Sequence, residues 1–219
     1  MKLTLFFSIV VISLAGGREP AFKVEVDISE APECEAFATR AKLIVEEWYP
    51  KINEVLFGAG HPLPVALVRL KFEPMKGVAH ATADEIHISA EWVTKKAPRD
   101  YGMVVHELTH IVQHYQGKGE GWLTEGIADY VRHQYFENDG AELKHRINPD
   151  KSSYQQSYTT AAAFLIWLEE AKDKDIVRKL NAASNDGSYH RELFQRYCGA
   201  DVDALWKEFT NSLRNATIR

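Results

Sequence analysis

Residues 106–130, HELTHIVQHYQGKGEGWLTEGIADY, combine histidines and carboxylates with apolar residues at helical spacing. His106 and His110 are four residues apart, so on a helix they share one face, a single turn from each other. That spacing lets both imidazoles approach one ion at about 2.0–2.1 Å. Glu107 projects beside the same face, where it can act as general base on a water. The pattern therefore predicts a metal-binding helix.

The alternative interpretation is a pair of amphipathic core helices with polar decoration. H-E-x-x-H arises by chance in roughly one such chain in thirty, so the motif alone is only suggestive. Its setting favours the metal site, because apolar residues recur at helical spacing and predict a buried helix over residues 98–116. These apolar residues are Val104, Val105, Leu108, Ile111 and Val112.

Zinc hydrolase sites keep three protein ligands and leave the fourth position for water, so a third ligand is needed. His114 is eight residues from His106, about 12 Å along a helix axis, which is too far to share an ion. It is predicted instead to lie on the helix surface or to support a ligand. Gln113 and Gln116 replace the glycine and the third histidine of the extended H-E-x-x-H-x-x-G-x-x-H motif, which excludes that variant. Glu125 is the better candidate.

The glycine-rich segment GKGEG predicts a chain reversal, and WLTEGIADYVRHQYF, residues 122–136, predicts a second helix. If this helix is antiparallel to the first, Glu125 points back at the two histidines. Asp129, one turn later, is placed to accept the other ring N–H of a ligand histidine. The alternative for both carboxylates is a solvated acidic helix face, but they lie in an otherwise apolar segment beside Trp122.

HELTH followed by GWLTEGIADYVR resembles the gluzincin metallopeptidases, which pair H-E-x-x-H with a downstream E-x-x-x-D, and WLTEG resembles a block of the zinc aminopeptidases. A fuller likeness, over roughly residues 22–212, is to the plant basic secretory protein family and its bacterial and fungal relatives, regarded as secreted zinc peptidases. SYTTAAAFLIW and GVAHATADEIHIS contribute to it. The resemblance implies that Zn²⁺ is held by His106, His110 and Glu125, with Glu107 as base and acid and Asp129 in support.

Peptide hydrolysis also needs a donor for the oxyanion that forms at the attacked carbonyl. Tyr158 opens the helix YTTAAAFLIWLEE, as a catalytic tyrosine does in the related aminopeptidases, and Tyr154 is the second candidate. The alternative is a tyrosine that packs between helices.

Residues 1–17, MKLTLFFSIVVISLAGG, have the lysine, the short apolar run and the small-residue end of a secretory signal peptide. An uncleaved membrane anchor is the alternative. The remaining residues, 18–219, are predicted to form a single zincin-like metallopeptidase domain without stable membrane insertion. The protein is then extracellular, or periplasmic in a Gram-negative bacterium. In such a compartment Cys34 and Cys198 either form a bridge or remain two buried thiols.

The order of predicted elements indicates an α+β fold. Strands at FKVEVDIS, VALVRLKFE, GVAHAT and EIHIS and a helix over 32–57 predict a small N-terminal mixed or antiparallel sheet with a long helix. A mostly helical zincin-type lower half follows, interrupted by a polar loop at 137–153. The strand at 85–89 is predicted to border the cleft as an edge that binds an extended substrate. His80 and His87 are predicted to be surface or cleft-rim residues.

These observations favour a secreted zinc peptidase that acts on peptides or proteins. The formal charge of −5 gives no reason to expect binding to nucleic acid or other acidic polymers. Two alternatives remain: a non-catalytic extracellular binding protein that keeps a structural metal, and an aminopeptidase. The intact Glu107 favours catalysis. The absence of the G-x-M-x-N segment, with which aminopeptidases grip a substrate amine, favours internal cleavage.

Overall fold

The structure is a computed structural model that describes residues 22–115, 119–156 and 158–217. The signal peptide predicted over residues 1–17 lies outside the described part of the chain. Strands and one long helix occupy the first half, and short helices fill the second half, as the predicted α+β class requires. Among the helices of the described ranges, none is both long enough and apolar enough to cross a bilayer.

Four strands form a mixed sheet in the order β1-β2-β4-β3. β1 (Lys23–Asp27), β2 (Leu67–Glu73) and β4 (Glu85–Ser89) run parallel, and β3 (Ala79–Ala81) pairs antiparallel with β4. The short β3–β4 pair is the hairpin that the sequence predicts.

The prediction that the strand at 85–89 is the edge of the sheet is wrong. β4 lies between β2 and β3, so β3 is the edge strand on the side of the second half. The Val78 carbonyl accepts a hydrogen bond from the Ser89 amide at 2.9 Å, which makes this a hydrogen-bonded pair of the ladder. Because such pairs alternate along an antiparallel ladder, the backbone groups of Ala79 and Ala81 face outwards from the sheet.

The helix α1 (Glu35–Phe57) covers one face of the sheet, and the period-two pattern of the strands explains why. Alternate residues of β2 and β4 are fully buried on that face, whereas the intervening charged residues lie on the other. The buried strand residues are Val68, Leu70, Phe72, Ile86 and Ile88.

The second half begins with α2 (Gly102–Gln113), which packs against α1, β3 and β4. α3 (Gly121–Val131) packs on α2 and continues into a π-helical turn, Arg132–Phe136. The segment 137–153, predicted as a loop, contains the short helix α4 (Gly140–Leu143) and one 3-10 turn, Lys144–Arg146, because buried Leu143 gives it a core contact.

Four further helices complete the second half. They are α5 (Tyr158–Ala171), α6 (Ile176–Asp186), α7 (Glu192–Cys198) and α8 (Val202–Thr217). α5 packs closely on α3, and α6 packs on α1, so the two halves share one core. Cys34 and Cys198 are free thiols.

Candidate metal centre

Three side-chain atoms from two helices converge on one point of the cleft. His106 Nε2 and His110 Nε2 of α2 lie 3.2 Å apart, and each lies 3.1 Å from Oε2 of Glu125 on α3. An ion that binds three tetrahedral ligands at about 2.0–2.1 Å separates the ligand atoms by roughly 3.3–3.4 Å. The spacing and the two-nitrogen, one-oxygen donor set therefore fit Zn²⁺.

The first of these histidines is held by Asp129, one turn beyond Glu125 on α3. His106 Nδ1 lies 2.7 Å from Oδ1 of Asp129, whose side chain is buried. The other carboxylate oxygen of Asp129 accepts a hydrogen bond from the Thr159 hydroxyl at 3.3 Å. With Nδ1 directed at a carboxylate, His106 turns Nε2 towards the convergence point.

The second histidine has a different partner, which the sequence analysis missed. His110 Nδ1 lies 2.7 Å from Oε1 of Gln113, three residues later on the same helix. Gln113 is buried, and its Nε2 donates to the backbone carbonyl of Thr124 at 3.0 Å. The i,i+3 spacing was visible in the sequence. In the motif comparison Gln113 only takes the place of the glycine of the extended motif.

The pKa values of His106 and Glu125 are shifted in opposite directions by their mutual contact. Burial alone would lower the pKa of His106, but hydrogen bonds to Asp129 and Glu125 outweigh it and raise that pKa to about 9. Burial likewise would raise the pKa of Glu125, yet the hydrogen bonds from His106 and His110 lower it to about 2. Glu125 is thus ionised and the raised pKa favours a proton on His106; a divalent cation bound at the same point would replace that proton.

Glu107 follows His106 on α2, with 8% of its surface exposed. Burial raises the pKa of this carboxyl, and the neighbouring charges of His106 and His110 act in the opposite direction. A carboxyl in a largely dehydrated position with a raised pKa suits a group that accepts and returns a proton.

The structure brings one of the two candidate tyrosines to the cluster. The Tyr158 ring stands edge-on to His106, with 5.9 Å between centroids, and the side chain is 55% exposed. The nearby charge of Glu125 is the largest cause that raises the pKa of its hydroxyl. Tyr154 is buried, and its hydroxyl donates to Asp203 at 2.8 Å. Tyr154 therefore belongs to the packing between helices.

The other histidines considered in the sequence lie outside the cluster: His114 at the end of α2, and His80 and His87 on the sheet. His114 ends α2 in a left-handed conformation, with φ of 40°, and its amide donates to the His110 carbonyl. The His80 ring is stacked on His87, with centroids 4.6 Å apart, at the edge of the sheet. His80 is exposed on the edge strand β3, which agrees with the predicted surface or rim position.

A second group, His133, Glu137 and Asp139, also places metal-ligating atoms close together. Its carboxylates already have arginine partners: Glu137 binds Arg132 at 2.8 Å, and Asp139 binds Arg146 at 3.2 Å. We assign this group to an ion-pair network at the C-terminal end of α3.

A cavity of about 360 Å³ opens beside Glu125. Its lining includes Trp122, Tyr154, Gln155, Gln156 and Tyr158.

Comparison with known proteins places the fold and the family. A mutant M1 zinc metallopeptidase from Deinococcus radiodurans, bound to a Tyr-Ser-Ala substrate, shares 15% identity at a TM-score of 0.50. The match covers 74% of this chain and 43% of that one. A two-domain M1 zinc metallopeptidase mutant bound to L-arginine is 14% identical, with a TM-score of 0.49, and the match covers 75% of this chain and 42% of that one. This chain thus spans less than half the length of either enzyme.

No curated protein sequence matches the chain. The BSP family, described as "Peptidase of plants and bacteria", matches residues 20–209. That range includes both helices of the candidate metal centre. The chain therefore belongs to the basic secretory protein (BSP) family, the peptidases of plants and bacteria.

Proposed function

We propose that this peptidase is a secreted zinc-dependent endopeptidase. The observation that carries the proposal is the convergence of His106 Nε2, His110 Nε2 and Glu125 Oε2 to within 3.1–3.2 Å of one another, with the buried carboxyl of Glu107 beside them. A structural metal site has no need of that carboxyl, so its presence supports catalysis over simple metal binding.

His106, His110 and Glu125 would bind the ion. Glu107 would transfer the proton of the attacking water. When bound, Zn²⁺ supplies Lewis-acid chemistry, which acidifies water and draws charge from a carbonyl oxygen. Glu107 takes the proton of the attacking water and then delivers it to the leaving amine. Its buried position keeps bulk water from competing for that proton.

Tyr158 would stabilise the oxyanion. Its hydroxyl belongs to an exposed side chain at the first residue of α5, and its ring stands against His106. A hydroxyl that donates as charge develops on the carbonyl oxygen stabilises the transition state more than the bound substrate.

The edge strand β3 would position the substrate chain. The backbone groups of Ala79 and Ala81 face outwards from the sheet, and β3 packs against α2, which carries both histidines. An extended peptide that adds to this edge by backbone hydrogen bonds passes the metal centre. Such pairing uses no substrate terminus, which supports internal cleavage.

Secretion is supported by the first 17 residues, with their lysine, apolar run and small-residue end. Amino-terminal sequencing of the exported protein tests this part of the proposal. A mature chain that begins close to residue 18 is expected, whereas a chain that retains Met1 contradicts cleavage.

Metal analysis combined with proteolysis tests the chemistry. Purified protein should contain one zinc per chain, cleave casein and an internally quenched peptide with blocked ends, and lose both activities with a chelator. Glu107→Gln should retain the zinc and lose cleavage. Zinc-loaded wild-type protein that cleaves neither substrate would refute the proposed endopeptidase activity. Activity on free-amine aminoacyl anilides alone would make it an aminopeptidase.

A further inference from the structure

The two histidines of the metal centre are oriented by chemically different groups. A charged carboxylate, Asp129, faces Nδ1 of His106, whereas a neutral amide, Gln113, faces Nδ1 of His110, each at 2.7 Å. Gln113 is 1% exposed, so water is not available to replace this bond. Gln113 is the last residue of α2 and lies one turn after His110.

A second contact determines which way the Gln113 amide points. Its NH₂ group lies 3.0 Å from the backbone carbonyl of Thr124, which can only accept a hydrogen bond. The flipped amide would place Oε1 against the Thr124 carbonyl, and two oxygens that can only accept do not form a hydrogen bond. Oε1 therefore faces His110, and since this oxygen can only accept, His110 Nδ1 must donate to it. The lone pair of His110 is then on Nε2, the atom directed at Glu125.

The same side chain connects the two helices that provide the ligands. Thr124 is the residue before Glu125, so the Gln113 amide joins the end of α2 to the backbone of α3 next to the third ligand. The backbone carbonyl of Gln113 in turn accepts a hydrogen bond from Asn185 on α6 at 2.9 Å. Both the side chain and the backbone carbonyl of Gln113 are therefore fixed by hydrogen bonds.

We propose that Gln113 is a positioning residue: it holds His110 in the tautomer and ring orientation that offer Nε2 to the ion, and it sets the spacing between His110 and Glu125. The inference rests on the proposed zinc site. A glutamate here would keep the acceptor for His110, but it would place a second acceptor against the Thr124 carbonyl. A neutral amide satisfies both contacts and adds no charge to the site.

Zinc affinity, measured by competition with a chromophoric chelator, tests the proposal. Gln113→Met keeps the length of the side chain and removes both hydrogen bonds, and it should weaken zinc binding by about 10–100-fold, as the loss of a group that orients a ligand does. Gln195→Met is a control for the substitution itself, away from the site: the exposed Gln195 amide of α7 also donates to a backbone carbonyl, that of Gly199, at 2.8 Å. The control should bind zinc as the wild type does.

The protonation of the His110 ring gives a readout that general loss of packing does not produce. Nitrogen-15 spectra of the zinc-loaded wild type should show a proton on Nδ1 of His110 and the metal on Nε2. Gln113→Glu should preserve this tautomer, and in Gln113→Met the Nδ1 proton signal should move upfield, because its hydrogen bond to Oε1 is lost. Coordination through Nδ1 in the wild type would overturn the proposal even if no variant folds.

The outcomes separate this inference from the proposed function. Wild-type protein that binds no zinc refutes the metal site itself. Wild-type protein that binds zinc, beside a folded Gln113→Met variant with unchanged affinity, refutes only the role of Gln113. The melting temperature of each zinc-free variant shows whether a loss of affinity reflects the site or the fold.

Discussion

Gly126 of α3 faces Ala161 of α5 so closely that a Cβ on Gly126 would lie 2.7 Å from the Ala161 Cβ. Real Cβ atoms essentially never approach so near, and neither atom belongs to a flexible side chain. The missing side chain therefore lets the two helices touch. Their contact brings the first turn of α5, with Tyr158 and Thr159, to the part of α3 that carries Glu125 and Asp129.

Gly126→Ala should consequently destabilise the fold by about 1–3 kcal/mol and move α5 away from the cleft, because overpacking forces a backbone shift. Urea unfolding of the variant measures the loss. Gly121→Ala is the control, since a Cβ there meets nothing within 4 Å. Adding Ala161→Gly to Gly126→Ala removes the clashing atom and should restore part of the stability. A double variant no more stable than Gly126→Ala would contradict the close-contact explanation.

Replacing each acidic residue of the centre should separate binding from turnover. Glu125→Ala removes one of the three proposed ligands and should lose most bound zinc, whereas Glu107→Ala should keep the metal and lose cleavage. Zinc content by atomic emission, together with peptide cleavage rates, checks both. Stoichiometric zinc and full activity in Glu125→Ala would show that the third ligand lies elsewhere.

Asp129→Asn should weaken zinc affinity by about 10–100-fold, because the amide no longer stabilises the Nδ1 proton of His106 with a full charge. Thr159→Val removes only the 3.3 Å hydrogen bond to the other oxygen of Asp129 and should have a smaller effect. Chelator competition at constant pH measures the series. Equal zinc affinity in Asp129→Asn and the wild type would show that the Asp129 carboxylate has a purely structural role.

Tyr158→Phe should keep the fold, the zinc and KM, and should lower kcat by about 10²–10³-fold, as the loss of an oxyanion donor does. Tyr154→Phe should leave kcat nearly unchanged and cost about 0.5–1.5 kcal/mol of stability, since it loses the hydrogen bond to Asp203. Steady-state kinetics and thermal unfolding of both variants distinguish the roles. A full-rate Tyr158→Phe would leave the ion, or another group, as the source of oxyanion stabilisation.

Acid should weaken the start of α3 through Glu120. Burial would raise its pKa, but hydrogen bonds from Arg191 and Trp122 outweigh it, and the folded pKa lies below the ordinary value of 4.5. A depressed carboxyl pKa contributes stability above the unfolded pKa, and this contribution disappears as pH falls through the folded pKa. Glu120→Gln should therefore be less stable than the wild type at pH 7, and the difference should shrink below about pH 4.

Unfolding free energies from pH 7 to pH 3 check this dependence. In a double-mutant cycle with Arg191→Gln, the coupling between the two side chains should be present at pH 7 and absent at the acid end, because a neutral Glu120 no longer pairs with Arg191. A coupling that is independent of pH would contradict the ion pair.

The sequence by itself was sufficient for the features that depend on spacing within one element. Two histidines four residues apart share a helix face wherever the helix lies, and alternating residues such as Leu70 and Phe72 share a strand face. The strands, the long first helix and the helical second half follow from these periods. The specific joint motif was enough to identify the family.

Only the tertiary structure decided which groups meet across elements, because such contacts depend on how helices and strands pack and not on a repeat along the chain. It placed β4 inside the sheet and β3 at its edge, since the hairpin folds outwards from β2. The Tyr154 hydroxyl donates to Asp203, 49 residues away, and the role of Gln113 depends on the Thr124 carbonyl of a neighbouring helix. A hydrogen bond between such residues exists only after α2 has packed on α3, and α8 on the segment that precedes α5.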